Sequence, residues 1–317
     1  MTGTEPPVLF LMGPTASGKT DLALALHRFL PVDIISVDSA MVYRGMDIGT
    51  AKPPREVLAR VPHRLIDICD PAESYSAGRF REDAQQAITE SRAAGRIPLL
   101  VGGTGLYFRT LEQGFSSLPA SDPRVRAEIE QQAIRVGWQQ LHYKLKEIDP
   151  QSAKKIHPND PQRIGRALEV YRLSGRPLSE LLSRGREGGL GLPLIKMVVA
   201  PARRGSLREA IRQRFLRMLE AELVAEVRGL YERGDLHARL PAMRLVGYRQ
   251  VWQYLAGEIE YNDMINKAIT ATRQLAKRQL TWIRSETNAK WFNNEKAGLL
   301  EEVLIFLRRN PIFSSNV

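Results

Sequence analysis

The chain has 317 residues, 43% of them hydrophobic, which is enough to bury a sizeable core and to form two domains. Its one cysteine, Cys69, excludes an internal disulfide, and the five scattered histidines leave no Cys and His pattern for zinc. No apolar run approaches the roughly 18 residues of a membrane span, and residues 1–7 lack the basic and apolar segments of an export signal, so we expect a cytoplasmic protein without a membrane partner.

The net charge of +11 is concentrated in the later part of the chain. Residues 1–100 contain 11 Lys and Arg against 12 Asp and Glu, a net charge of −1, whereas residues 101–317 contain 35 against 23, a net charge of +12. A small phosphorylated ligand needs only a few cations, so this excess favours a polyanion such as nucleic acid as a partner. A basic surface without a partner is the alternative on charge alone.

The first predicted elements surround a phosphate-binding motif. An apolar strand at 8–12 and a helix at 21–30 flank a stretch that matches G-x-x-x-x-G-K-[ST] at every fixed position. In such a turn the backbone amides and the helix dipole attract an anion, Lys19 adds a positive charge, and the Thr20 hydroxyl can hold Mg²⁺. The motif predicts a site for a ligand with at least two linked phosphates, formed by Gly13, Pro14, Thr15, Ala16, Ser17, Gly18, Lys19 and Thr20.

The second predicted strand, at 34–37, places Asp38 at its carboxyl end, where open α/β sheets bind ligands. Two roles fit this position. The carboxylate of Asp38 could position Mg²⁺ as in a nucleotide hydrolase or kinase, or it could act as a general base toward a second substrate. Position alone does not separate them.

A helix at 80–94 leads to a third strand at 97–101, and a fourth strand follows at 195–200. The third strand runs into a glycine-rich turn at 102–105 without a carboxylate, where we expect close approach to the backbone and room for a ligand. The pattern predicts an α/β fold, a P-loop NTPase-like parallel sheet core with a helical insertion domain and a helical C-terminal part. We expect the first part of the core at 1–115, the insertion at 116–194, and the completion of the core with basic C-terminal helices at 195–317.

Two helices of the predicted insertion begin at Asp-Pro pairs, with Asp122 and Asp160 as N-caps. Arginines follow both starts, and Arg163 and Arg166 are three residues apart and so share a helix face. The insertion ends in a Gly-rich stretch at 183–191 that is typical of a flexible connector.

Beyond the fourth strand, the clearest predicted helices are 207–230 and 263–284. In the latter, Arg273, Lys277 and Arg284 form one basic stripe, which is more often a solvated face than a binding surface. We interpret a further set of residues as structural, since packing explains each of them: His63, Cys69, Trp138, Trp252 and Trp282.

Five motifs together resemble the tRNA dimethylallyltransferase (tRNA isopentenyltransferase) family of bacterial type. They occur in the family's order and span nearly the whole chain: 13–20, the block DSAMVYRGMDIGTAKP at 38–53, GGTGLY at 102–107, DPQR at 160–163 and VGYRQ at 246–250. The resemblance implies transfer of a dimethylallyl group from dimethylallyl diphosphate to the exocyclic amine, N6, of adenosine 37 beside the tRNA anticodon, with release of diphosphate. It implies Mg²⁺ as cofactor, the anticodon stem-loop as partner, and a monomer without an obligate protein partner.

The resemblance also implies roles for individual residues. Asp38 matches the general base, and Thr15–Thr20 match the residues that hold the diphosphate, so that Asp38, Lys19, Thr20 and Arg214 form the expected catalytic set. Arg214 competes with its helical neighbours Arg212 and Arg217 for the diphosphate contact. The expected tRNA-binding residues are Asp38, Ser39, Ala40, Met41, Thr104, Arg126, Gln162, Arg163, Ile164, Gly165 and Arg166, joined by the basic C-terminal Arg249, Arg273 and Lys277.

The chain departs from the family pattern at two positions. Met41 stands where many members carry glutamine, and Glu222 where glycine is common. The first change removes a polar group that could contact the target base. The second is expected within a helix, away from the chemistry.

Two other classes of protein fit part of the pattern. A P-loop kinase of a nucleoside or small metabolite, with ATP in the loop, explains the motif and Asp38 but gives the basic insertion no role. An RNA-binding NTPase explains the charge, but we expect such a protein to carry a carboxylate after the third strand, where this chain has Gly102 and Gly103.

Overall fold

The computed structural model describes residues 6–116, 118–185 and 188–314. Two residues of the predicted connector, Arg186 and Glu187, lie outside the described residues. Within the described part of the chain, no helix has the length and apolar character needed to cross a membrane.

A six-stranded parallel sheet confirms the predicted α/β class. The strand order is β3-β2-β4-β1-β5-β6. All five residues of β1 are buried, as expected for a central strand that is covered on both faces. The strands are β1 Val8–Met12, β2 Val32–Val37, β3 His63–Arg64, β4 Ile97–Gly102, β5 Leu194–Ala200 and β6 Ala289–Asn293.

The four predicted strands correspond to β1, β2, β4 and β5, whereas β3 and β6 were not predicted. Both missing strands lie at the edges of the sheet. β3 has only two residues, and β6 exposes Lys290 and Trp291, so neither produces a run of buried apolar residues. A search for apolar runs therefore does not identify these edge strands.

Helices connect and cover the strands. In chain order they are α1 Lys19–His27, α2 Arg55–Arg60, α3 Ala77–Ala93, α4 Gly105–Gln113, α5 Pro123–Val136, α6 Trp138–Ile148, α7 Pro150–Lys155, α8 Pro161–Ser174, α9 Leu178–Ser183, α10 Arg204–Glu220, α11 Leu223–Tyr231, α12 Tyr248–Leu255, α13 Tyr261–Ile283, α14 Leu299–Arg309 and α15 Pro311–Ser314, with a 3₁₀ turn at Ala242–Arg244.

The chain divides into two compact units. The first, Met1–Leu111 with Leu192–Val317, contains the sheet, and its core packs β1, β2, β4 and β5 with α1 and α14. The second, Glu112–Gly191, contains α5–α9 around a separate apolar core that includes Ile129, Leu141 and Ile164. Each unit thus buries its own hydrophobic residues.

Both predicted N-caps in the second unit are confirmed. The Asp122 carboxylate accepts from the backbone N–H of Arg124 at 2.7 Å, and the Asp160 carboxylate accepts from that of Arg163 at 3.1 Å. Asp149 before Pro150 caps α7 in the same way and was not predicted. Asp-Pro pairs therefore start three helices of this unit.

The prediction of one helix at 207–230 is wrong. The segment forms two helices, α10 and α11, which are separated at Glu222. The backbone of Glu222 is left-handed, with φ of 66°, which a continuous α-helix does not allow. This position explains why glycine is favoured there, and the change to glutamate concerns a helix junction rather than a helix interior.

Candidate active site

The phosphate-binding loop follows β1 and ends at the first residues of α1. Gly18 is the N-cap with φ of 76°, and no side chain caps the helix, so the first amides of α1 are left for a ligand. Gly13 has to be glycine, because a Cβ there would lie 2.3 Å from the carbonyl oxygen of Val199 in β5. The loop therefore has the strand, turn and helix arrangement that the motif predicts.

Lys19 and Arg214 bring two cations to the loop. The Lys19 ammonium group donates to the carbonyl oxygen of Pro14 at 2.7 Å, and burial lowers the pKa of Lys19 to about 7, with Asp38 opposing the shift and Arg214 adding to it. Burial also lowers the pKa of Arg214, with Asp38 opposing and Arg217 adding. Lys19, Asp38 and Arg214 all line one cavity, so their charges act on one another.

Asp38 directly follows β2 and has a fixed orientation. One of its carboxylate oxygens accepts from the backbone N–H of Ala40 at 2.8 Å. The next residue, Ser39, donates its backbone N–H to the Thr104 hydroxyl at 3.2 Å, which links this turn to the one after β4. Because β2 and β4 are parallel neighbours, their carboxyl ends meet at the same edge of the sheet.

Two cavities meet at Asp38. The smaller, about 70 Å³, is lined by Lys19, Thr20, Asp38 and Met41, and the larger, about 540 Å³, is lined by Asp38, Ser39, Ala40 and Thr104. The larger volume is typical of small-molecule sites. Both cavities share the lining residues Thr15, Asp38, Gly103, Arg214 and Gln279.

The structure distinguishes the three arginines of α10. Arg214 lines both cavities, and its guanidinium donates to the carbonyl oxygen of Thr50 at 3.3 Å. Arg212 is exposed and forms an ion pair with Glu209 at 3.5 Å. Arg217 lines neither of the two cavities.

Gln279 of α13 connects the phosphate-binding loop to the glycine-rich turn, and it was not predicted as a site residue. Its side-chain oxygen accepts from the backbone N–H of Thr15 at 2.8 Å, and its side-chain nitrogen donates to the carbonyl oxygen of Gly103 at 3.2 Å. Gln279 lies on the apolar face of α13, three residues from Ala276 and Trp282, and a search for apolar periodicity does not select a polar residue there.

The glycines of this turn serve close packing of protein atoms. A Cβ on Gly103 would lie 2.4 Å from the side-chain nitrogen of Gln279, and one on Gly105 would lie 2.3 Å from the Trp282 ring. Residues of α13 therefore pack closely on Gly103 and Gly105, and both glycines also line the larger cavity. Trp282 and His63, interpreted as structural from the sequence, line the larger and the smaller cavity respectively.

In the second unit, two of the expected tRNA-binding arginines bind a buried carboxylate. Glu169 is fully buried and accepts from Arg126 at 3.0 Å and from Arg166 at 2.8 Å. Burial acts to raise the pKa of Glu169, but the hydrogen bonds from Arg166, the Asp122 backbone and Arg126 lower it overall. Arg126 and Arg166 thus have a structural partner within their own unit.

The other expected tRNA-binding residues of α8 differ in exposure. The Arg163 side chain is 70% exposed and pairs only loosely with Asp160 at 3.4 Å, and Gln162 is exposed. Ile164 packs in the apolar core, and Gly165 lies against Trp138. The Arg163 side chain is therefore more exposed to solvent than those of Arg126 and Arg166.

The expected tRNA-binding cations of the first unit lie on exposed surfaces. Arg273 and Lys277 of α13 are exposed with Arg284, whereas Ile269 is buried. Arg249, near the start of α12, is exposed as well. The stripe that the sequence predicts along α13 therefore faces solvent.

Comparison with known proteins decides the family. A family model described as IPP transferase matches residues 41–286. The chain belongs to the IPP transferase family. The match begins after the phosphate-binding loop, so the motif at 13–20 and the family model are separate observations.

Individual members of the IPP transferase family resemble the whole chain. A tRNA dimethylallyltransferase of Thioalkalivibrio sulfidiphilus is 62% identical over 281 residues, which cover 89% of this chain and 88% of that protein. The crystal structure of the tRNA isopentenylpyrophosphate transferase of Bacillus halodurans is 36% identical, with a TM-score of 0.71, and covers 99% of this chain and 98% of that one. A eukaryotic dimethylallyltransferase crystallised acting on tRNA is 25% identical, with a TM-score of 0.81, and covers 98% of this chain and 80% of that one.

The oxygen donors of this IPP transferase family member are compatible with the coordination chemistry of magnesium. Among the described residues there is no group of three His, Cys, Asp or Glu side chains that could hold a metal ion. Thr20 and Asp38 supply one hydroxyl and one carboxylate to the smaller cavity. Mg²⁺ needs only one or two protein ligands when phosphate oxygens and water complete its shell.

Proposed function

We propose that the protein transfers a dimethylallyl group from dimethylallyl diphosphate to N6 of adenosine 37 in tRNA, releasing diphosphate. The observation that carries this proposal is the position of Asp38, which lines both the small cavity beside the phosphate-binding loop and the larger cavity next to it. A carboxylate at that junction lies between a diphosphate leaving group on one side and a bound base on the other.

Departure of the diphosphate is the demanding step, because the exocyclic amine of adenine is a poor nucleophile. The loop amides, the Lys19 ammonium group and the Arg214 guanidinium place positive charge where negative charge develops on the leaving diphosphate. Arg214 is held by the Thr50 carbonyl, so its position does not depend on the ligand. The protein thus supplies a preorganised site for the leaving group.

Mg²⁺ would be held by Thr20 together with diphosphate oxygens, and it would neutralise part of the leaving-group charge. Thr20 and Asp38 supply hard oxygen donors to the smaller cavity, which is also lined by Thr15, Ser36 and Gln279. The chemistry of the donor set and the family resemblance support this cofactor.

Proton removal falls to Asp38. The amine becomes acidic only as the new carbon–nitrogen bond forms, so the orientation of the carboxylate matters more than its basicity. The hydrogen bond from the Ala40 amide fixes that orientation. The bound substrates would have to exclude water from the cavity, because water would capture the electron-deficient allylic carbon.

The acceptor is an adenine of the anticodon loop, which has to leave its stack to enter a cavity at the edge of the sheet. The larger cavity has a volume of about 540 Å³ and includes Thr104 and Trp282 among its lining residues. The exposed cations of α8, α12 and α13 are available for the RNA backbone. We place this reaction in the cytoplasm, with the protein acting as a monomer.

A P-loop kinase is the principal alternative, and ligand-induced thermal stabilisation separates the two. We expect dimethylallyl diphosphate with Mg²⁺ to raise Tm, because binding to the folded state alone stabilises it. ATP at the same concentration is expected to raise Tm less. A larger shift with ATP, together with none from dimethylallyl diphosphate, would favour the kinase.

A further inference from the structure

Glu226 of α11 binds the backbone of a loop that reaches the site. Its carboxylate accepts from the backbone N–H groups of Asp47 at 2.8 Å, Ile48 at 2.7 Å and Gly49 at 3.2 Å, and also from the Tyr248 hydroxyl. Three successive amides that converge on one anion fix a loop more firmly than a single contact does. Neither the motif nor the catalytic set includes Glu226.

Tyr248 also contacts both Glu226 and the loop at 47–49. It is fully buried, and burial together with the neighbouring Glu226 carboxylate raises its pKa, so the hydroxyl remains a hydrogen-bond donor. Gly49 lies directly against the ring, because a Cβ there would be 2.5 Å from a ring carbon of Tyr248. The loop is therefore held by packing as well as by hydrogen bonds.

Lys52 provides a second set of contacts at the other end of the same loop. The Lys52 ammonium group, only 2% exposed, binds the carboxylates of Asp47 and Asp67 and the carbonyl oxygen of Tyr43. The Thr50 hydroxyl donates to the carbonyl oxygen of Met46 at 2.6 Å. Residues 46–52 thus form one rigid segment between two ionic contacts.

The rigid segment ends at the cation of the diphosphate site. The carbonyl oxygen of Thr50 accepts from the Arg214 guanidinium at 3.3 Å, the one hydrogen bond of that side chain within the described residues. Arg214 in turn lines both site cavities. A continuous path of contacts therefore runs from Glu226 through the amides of 47–49 and Thr50 to Arg214.

We propose that Glu226 is a positioning residue for the reaction, which holds the 47–50 backbone so that the Thr50 carbonyl fixes Arg214 beside the diphosphate. This inference rests on the proposed function, since it assigns Arg214 to the leaving diphosphate. Glu226 does not touch the substrate. Its effect on the reaction passes through the position of Arg214.

The test compares Glu226→Gln, Arg214→Gln and the double variant, with Glu232→Gln, at the exposed C-cap of the same helix, as the control. The amide of glutamine turns a donor toward N–H groups that need an acceptor, so the loop loosens without a change in side-chain size. Steady-state kinetics with dimethylallyl diphosphate and an anticodon stem-loop, and calorimetric binding of inorganic diphosphate, provide the readouts.

We expect Glu226→Gln to raise KM for dimethylallyl diphosphate and Kd for inorganic diphosphate by about tenfold, with KM for the stem-loop changed by less than about twofold. In the Arg214→Gln background the same substitution should weaken diphosphate binding by less than about twofold, because the path to the ligand is already broken. Glu232→Gln should change none of these values. Independent, multiplicative effects of the two substitutions on diphosphate binding would overturn the inference.

Tyr248→Phe provides a second variant if Glu226→Gln does not fold, since it keeps the ring and removes one donor. About threefold weaker diphosphate binding that disappears in the Arg214→Gln background supports the inference, and unchanged binding contradicts it. Binding of inorganic diphosphate distinguishes failure of this inference from failure of the proposed function. A wild-type protein that binds diphosphate but transfers no prenyl group contradicts the proposed function, while the coupling of Glu226 to Arg214 is still decided by the binding data.

Discussion

Arg214 differs from Arg212, its neighbour in α10, in every property that bears on the diphosphate. It is held by the Thr50 carbonyl, and it lines the cavities that contain Lys19 and Asp38. Arg212 points to solvent beside Glu209. Helical spacing alone could not choose between the two residues, because the choice depends on which side of α10 packs against α13.

We therefore predict a large difference between two identical substitutions. Arg214→Gln should lower kcat/KM for dimethylallyl diphosphate by roughly 100-fold, since it removes one preorganised cation from the developing charge. Arg212→Gln should change it by less than about twofold, because an exposed ion pair contributes little. Steady-state kinetics on both purified variants checks this, and equal losses would mean that Arg214 has no special role.

Among individual residues, the sequence predicts those that belong to a recognisable pattern. The loop at 13–20 and Asp38 after β2 are identified by a motif and by a strand end. Gln279 is not, because its function comes from two contacts, Thr15 and Gly103, that lie 264 and 176 residues away in the chain. Such contacts exist only once α13 has packed against the phosphate-binding loop and the turn after β4.

The junction of α10 and α11 shows how one backbone angle divides an element. Glu222 adopts a left-handed conformation that costs L-residues with a side chain about 1–2 kcal/mol. The apolar spacing across 207–230 continues through the junction, so hydrophobic periodicity predicts a single helix there. Only the backbone angle, or a glycine at that position, would indicate the break.

Glycine at position 222 should stabilise the protein. We predict that Glu222→Gly raises the free energy of unfolding by about 1 kcal/mol, because glycine adopts positive φ without the Cβ penalty. Glu220→Gly, the same substitution at an exposed helical position two residues earlier, should instead lower it by about 0.5 kcal/mol. Urea unfolding of both variants gives the comparison, and destabilisation by both would contradict the assignment of strain to Glu222.

The sheet shows the same division between predictable and unpredictable elements. Buried interior strands such as β1 and β4 are continuous apolar runs, and the sequence located them within one residue at either end. The edge strands β3 and β6 obtain their structure from pairing with β2 and β5 rather than from their own composition. Local sequence carries little of that information.

For the whole molecule, the excess positive charge beyond residue 100 favours a polyanionic partner, and tRNA supplies one. Not every arginine of the second unit is free to bind it. Loss of Arg166 would leave the buried Glu169 carboxylate with fewer partners and is expected to destabilise the unit by about 3 kcal/mol. A loss of RNA affinity in that variant would therefore not identify a contact.

Arg163 permits a cleaner test of the RNA interface, because its side chain is largely exposed and its ion pair with Asp160 is long. We predict that Arg163→Ala weakens binding of the anticodon stem-loop and lowers the slope of log K against log salt by about one, as expected for one lost phosphate contact. Tm should stay within about 2 °C of the wild-type value.

Arg135→Ala, at an exposed position of α5, removes the same charge from the same unit and serves as the control. It should leave the salt slope unchanged. If the two variants behave alike across the salt series, then Arg163 contributes only to the general charge and not to a specific phosphate contact.

The most direct measurement of the proposed reaction is the transfer of radiolabel from dimethylallyl diphosphate to an anticodon stem-loop. The wild-type protein should label a stem-loop with adenosine at position 37 and should not label one with guanosine there. Asp38→Asn should reduce the labelling rate by at least roughly 100-fold while leaving diphosphate binding intact, because general base catalysis contributes about 10²–10⁴-fold. Absence of label from the wild-type reaction with every adenosine-containing stem-loop would contradict the account.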